Sequence, residues 1–105
     1  MLEKHFQAKL IKEVEALLPG SIVSKVETTI QGFPDILILY EDKWATLECK
    51  RNKSAERQPN QTDYVDRMNA MSFSRFVYPE NKEEVLNDLQ QALRNSGETC
   101  DIGAK

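Results

Sequence analysis

Asp35, Glu48 and Lys50 are the residues of this 105-residue chain whose types and spacing could do chemistry together. Asp35–Tyr40 and Lys43–Lys50 read as two strands, the first apolar throughout after its aspartate, joined by a polar Glu41-Asp42 turn. A hairpin closed on that turn sets Tyr40 against Lys43, Leu37 against Thr46 and Asp35 against Glu48. Opposed residues of an antiparallel pair hold their Cβ atoms about 4.5–5.5 Å apart, where two like charges destabilise unless something neutralises them. A divalent cation would do so. Lys50 follows Glu48 by two residues and shares its face of the strand, while Cys49 points into the core and leaves its backbone carbonyl as a further oxygen ligand.

Two carboxylates, a carbonyl oxygen and waters make the hard oxygen shell that Mg2+ prefers and Mn2+ accepts. A water on such a metal is acidified, the metal stabilises charge on a scissile phosphate, and the lysine orients the water or offsets the developing charge. That combination is metal-assisted phosphodiester hydrolysis. The plainer alternative is a post-turn aspartate beside a surface Glu48–Lys50 ion pair. Against it stands the cost of holding opposed charges at the ends of two apolar strands. Other chemistries have little support. His5 is the single histidine and reads as a surface residue near a helix start. Cys49 and Cys100 belong to no metal-binding or disulfide pattern and read as reduced thiols.

The positioning elements follow from periodicity. Leu2, Phe6, Leu10, Val14 and Leu17 recur at helical spacing until Pro19-Gly20 stops the helix. Ser21–Ile30 is β-branched and predicts a first strand, and Gly32-Phe33-Pro34 interrupts it before the central hairpin. Arg51–Pro59 reads as a polar, basic loop, and Pro59 opens a second helix that carries Tyr64, Val65, Met68 and Met71 toward the core. Ser74–Tyr78 is a short fourth strand. Asn81 caps a last helix bearing Val85, Leu86, Leu89 and Leu93. The reading is one domain over residues 1–95 with a polar tail 96–105, in the order αβββαβα: an α/β (α+β) sandwich around a mixed sheet with an antiparallel meander at its centre.

Gly32-Phe33-Pro34-Asp35 followed after twelve residues by Glu48-Cys49-Lys50 resembles the motif of the PD-(D/E)xK nuclease superfamily. Gln58-Pro59-Asn60-Gln61-Thr62-Asp63-Tyr64, then Ser74–Tyr78, resembles its VRR-NUC branch of virus-type replication and repair nucleases, as does the opening Leu2–Leu10. The resemblance covers the chain nearly end to end and implies a restriction-endonuclease-like core. It implies that Asp35 and Glu48 are metal ligands, Lys50 the catalytic lysine, and Glu3 and Gln61 supporting positions. Glu3 would join the metal shell directly or through water, and Gln61 would hydrogen-bond the lysine or a phosphate. Glu13 and Glu15 are weaker choices, and Tyr64 and Trp44 read as packing residues. Met71-Ser72 stands where the family commonly has a glycine.

A net charge of −3 argues globally against a nucleic-acid partner, but the charge is unevenly spread. Lys43, Lys50, Arg51, Lys53 and Arg57 face only Glu48 and Glu56 in their stretch, whereas much of the acid excess lies after residue 80. Lys43, Arg51, Lys53 and Arg57 are therefore candidate contacts to a DNA backbone. A chain this small has room for one metal site, so handling two strands calls for a symmetric pair. The reading is a homodimeric, Mg2+-dependent endonuclease selective for branched DNA such as four-way junctions, as the resemblance implies for small stand-alone members. A nicking or flap-type nuclease, a non-catalytic DNA-binding subunit and an α/β scaffold for protein contacts are the alternatives. No apolar run approaches a membrane span and Met1–His5 lacks a signal-peptide layout, so a cytoplasmic location is expected, that of the host if the source is a phage.

Overall fold

The computed structural model describes residues 3–95, without the side chains of Glu3 and Asn95. The tail 96–105 with Cys100, and the side chain of Glu3, lie outside the described residues. Helix α1 (Glu3–Leu17) forms because Phe6, Leu10, Val14 and Leu18 fall about one turn apart, and all four are buried. Pro19 ends it, and Gly20 takes the left-handed φ of 90° that reverses the chain.

Four strands follow in one mixed sheet of order β1-β2-β3-β4. β1 (Ile22–Lys25), β2 (Ile36–Tyr40) and β3 (Lys43–Cys49) are an antiparallel meander, and β4 (Ser74–Val77) runs parallel to β3. Helix α2 (Pro59–Met71) makes the crossover that a parallel pair requires. Helix α3 (Lys82–Gln90) runs on into a single π-helical turn, Gln91–Asn95. The element order is the expected αβββαβα.

Strand alternation sorts the side chains into two layers. Ile36, Ile38, Ala45, Leu47, Cys49 and Val77 join the buried cluster with α1 and with Val85, Leu89 and Leu93 of the last helix. The other face carries Thr46, Glu48, Ser74 and Phe76 beneath α2, which buries Val65 there. Thr46 donates to Ser74 Oγ at 2.8 Å, so that layer is partly polar.

Three local expectations are corrected. The first strand stops at Lys25 rather than Ile30, because β2 offers partners only to Ile36; Val26 adds one more bond to the Asp35 carbonyl, and Ile30 stays exposed. Met71 does not reach the core: it is 68% exposed at the end of α2. Asn81 is the N-cap residue of α3 and its carbonyl accepts from Val85 N, but its side chain makes no cap hydrogen bond: it accepts from Tyr78 N and donates to Phe76 O.

Candidate active site

The β2–β3 register runs from Tyr40 opposite Lys43 to Ile36 opposite Leu47, so the next residues out, Asp35 and Glu48, meet at the open end of the hairpin. Each backbone neighbour helps to fix Asp35. Its carbonyl accepts from Val26 N at 2.7 Å, and its Oδ2 accepts from Cys49 N at 3.0 Å. β3 continues the ladder to β4 through Lys50 N, which donates to Val77 O at 2.9 Å. Glu48 lies on the α2 face and is 3% exposed.

Helix α2 delivers the residue that organises this end of the sheet. Gln61, in its first turn, donates from Nε2 to Glu48 Oε2 at 2.8 Å, and its Oε1 accepts from Lys50 Nζ at 2.7 Å and from Gln58 N at 3.0 Å. Lys50 Nζ also donates to the Glu56 carbonyl at 3.0 Å. An ammonium has three donors, so two protein bonds leave one for water or substrate. A cleft of about 300 Å³ opens beside Gln61, lined by Gln31, Gly32, Gln58 and Asn60.

The turn before Asp35 is seated directly on α2. Gly32 has φ 88°, and a Cβ there would stand 2.7 Å from Asn60 Cγ and 2.8 Å from its backbone carbon. The glycine thus lets the loop carrying Pro34 and Asp35 close on the helix turn carrying Gln61. Phe33 adds a tilted ring contact to Tyr64, with centroids 5.9 Å apart.

Burial pushes the Asp35 carboxyl above its usual range. The Cys49 N–H, the Lys50 charge, a hydrogen bond from the Gln7 side chain and the more distant Lys25 charge all work against that rise. Gln7 went unnoticed in the sequence. It lies on α1 between Phe6 and Leu10, buried among apolar neighbours, and a polar residue at a core position of an amphipathic helix is the signal that could have found it. Gln7 sits one helical turn after Glu3, the position to which the resemblance assigned the α1 contribution.

Asp35, Glu48, Lys50 and Gln61 are therefore brought together, with Cys49 between the acids and the lysine. The basic candidates separate. Arg51, Lys53 and Arg57 are exposed in the loop between β3 and α2. Lys53 N donates to Glu80 Oε2 at 3.4 Å, and the Arg57 guanidinium carbon lies 4.2 Å from the Phe76 ring centroid. Lys43 is not with them. It opens β3 at the opposite end of the sheet, five residue steps or roughly 17 Å along the strand from Glu48. There it pairs with Asp42 at 3.0 Å and Glu41 at 3.6 Å, holding the Asp42 carboxyl below its usual range.

No protein-family model matches the sequence, and no curated protein does. Solved structures do match. The chain is similar to a VRR_NUC domain at 22% identity and a TM-score of 0.66, over 81% of this chain and 94% of that one. It is also similar to a VRR_NUC domain protein at 12% identity and a TM-score of 0.65, over 90% and 89% respectively. The chain has the fold of these VRR_NUC domain structures.

Proposed function

We propose that the protein is a metal-dependent endonuclease that hydrolyses phosphodiester bonds of DNA. The observation that carries this reading is the Glu48–Gln61–Lys50 chain of hydrogen bonds with Asp35 beside it. A structural ion pair needs no intervening amide. A site that must keep a carboxylate and an ammonium close, yet leave each able to meet another group, is served by one.

The donor set fits a hard cation. Among the described residues no three His, Cys, Asp or Glu side chains gather. The described chain thus offers two carboxylates, the Cys49 carbonyl and the Gln7 amide, and water would complete the shell. Mg2+ is held in this way, through one or two carboxylates and several waters, and Mn2+ accepts the same ligands. Asp35 and Glu48 would hold the ion, with Glu3 as a further ligand. When bound, the ion supplies concentrated positive charge against a phosphodiester and acidifies water. The chain's own residues do the rest. Gln61 holds Lys50 at the mouth of the site, and the remaining Nζ donor of Lys50 meets the attacking water or a phosphate oxygen. Arg51, Lys53 and Arg57 hold the backbone of the substrate.

We read the working unit as a homodimer acting on branched DNA, because one hydrolytic site serves one strand at a time. The test is cleavage of labelled four-way junction, flap, linear duplex and single-stranded DNA with Mg2+ or Mn2+, alongside the mass of the protein in solution. Paired cuts by a dimer are expected on the junction. Absence of metal-dependent cleavage on all four would overturn the reading.

A further inference from the structure

Outside the carboxylate end of the sheet, a second cleft of about 310 Å³ opens between α2 and the edge strand β4. Arg57, Asp66, Asn69, Ser74, Arg75 and Phe76 line it. Phe76 pairs with Glu48 in the β3–β4 register and shares its face, so one lining residue of the cleft stands on the strand next to Glu48.

Two cations are prepared there. The guanidinium carbon of Arg57 lies 4.2 Å from the Phe76 ring centroid, and that of Arg75 lies 4.4 Å from the Phe73 ring centroid. Contact with a ring face orders a long side chain without using its N–H donors. Arg75 is further fixed by donating Nη1 to Asn69 Oδ1 and to the Ser74 carbonyl. Asn69 Oδ1 also accepts from Ser74 N, so this amide's acceptor is committed inward. Neither arginine forms an ion pair with a carboxylate among the described residues. Asp66, exposed on the rim, leaves the cleft with a net positive charge.

We infer that this cleft is a phosphate site, in which Arg57 and Arg75 grip a phosphate of the DNA strand next to the one being cut. The inference rests on the nuclease reading and deepens it. Two ordered guanidiniums offer the fork geometry that oxyanions take, and the neighbouring Asn69 amide adds a donor. Arg75 thereby becomes a substrate contact that its place in a short edge strand did not advertise. The cleft sets which linkage of the strand reaches Asp35 and Glu48.

The test is DNA binding by fluorescence anisotropy in Ca2+, using duplexes with one neutral methylphosphonate linkage moved stepwise along the strand, and duplexes with or without a 5′-terminal phosphate. For the wild type, one linkage or the terminal phosphate is expected to matter, its loss weakening binding roughly tenfold. An internal linkage identifies a backbone diester as the occupant, and the end group a phosphomonoester. Arg75→Gln and Arg57→Gln should bind more weakly, be indifferent to that same group, and lose about one unit of salt slope each. Asp66→Asn, which removes no contact, should bind more tightly. Unchanged phosphate sensitivity and salt slope in both arginine variants, or weaker binding by Asp66→Asn, would overturn the cleft. If the wild type still cuts DNA with metal, that failure belongs to the cleft alone. A wild type that neither binds nor cuts any DNA overturns both readings together.

Discussion

Gln61 holds Lys50 by a 2.7 Å hydrogen bond whose sense is fixed, because the same amide must donate its nitrogen to Glu48. Replacing it removes both connections at once. Gln61→Ala is expected to lower kcat roughly 10- to 100-fold while leaving DNA affinity within about twofold. Gln61→Glu should keep the lysine contact but place a carboxylate against Glu48, and so recover little activity at neutral pH. Steady-state kinetics on one duplex or junction substrate separate the two outcomes.

Asp35 gives a pH-dependent signature in the absence of metal. Its carboxyl titrates above the ordinary value of 3.8 because burial penalises the charge. The folded chain therefore binds that proton more tightly than the unfolded chain does. The ionised group costs stability above the folded pKa, and the cost vanishes once the pH falls below 3.8. Asp35→Asn should melt higher than the wild type at neutral pH and together with it in acid. Added Mg2+ should raise the wild-type melting temperature only. Thermal melts across pH, with and without the ion, read all three.

Gly32 should tolerate no side chain. Gly32→Ala meets both the positive φ and the Asn60 contact, and the backbone conformation alone costs about 1–2 kcal/mol. A drop in melting temperature of at least about 5 °C is expected in a domain of this size. Cleavage should fall further than the loss of folded protein explains, since the loop carries Asp35 against α2. Gly20→Ala is the comparison: it has a similar φ but nothing within 4 Å of the added carbon, so its cost should be conformational only.

The basic candidates should divide by position. Arg51→Ala is expected to weaken DNA binding and reduce its salt dependence by about one charge. Lys43→Ala, at the far end of β3 and already paired with Asp42, should leave both nearly unchanged. Anisotropy titrations at several salt concentrations measure the slope for each.

The central hairpin was legible in the sequence because a two-residue turn dictates every pair beyond it, and the observed Leu37–Thr46 pairing follows from Tyr40 and Lys43 alone. Helix α1 was legible because its apolar residues keep helical spacings of four and three throughout. Features that depend on a partner were not. Ser21–Ile30 has strand composition throughout, but only Ile22–Lys25 find residues of β2 to pair with. Lys43 belongs to a basic stretch by sequence, yet strand geometry carries it away from Arg51 and Lys53. Gln7 is distant from Asp35 along the chain, and only the packing of α1 on the sheet brings them together. The Arg57 and Arg75 cleft likewise exists only because a parallel crossover lays α2 beside β4.

The central claim is that Asp35, Glu48 and Lys50 form one hydrolytic site. Cleavage of a labelled four-way junction in Mg2+ by the wild type, Asp35→Ala, Glu48→Gln and Lys50→Ala, each verified as folded, tests it most directly. Metal-dependent cleavage by the wild type and a loss of roughly 10²–10³-fold or more in every variant is the expected result. Wild-type cleavage that continues at full rate in Asp35→Ala or Lys50→Ala would contradict it.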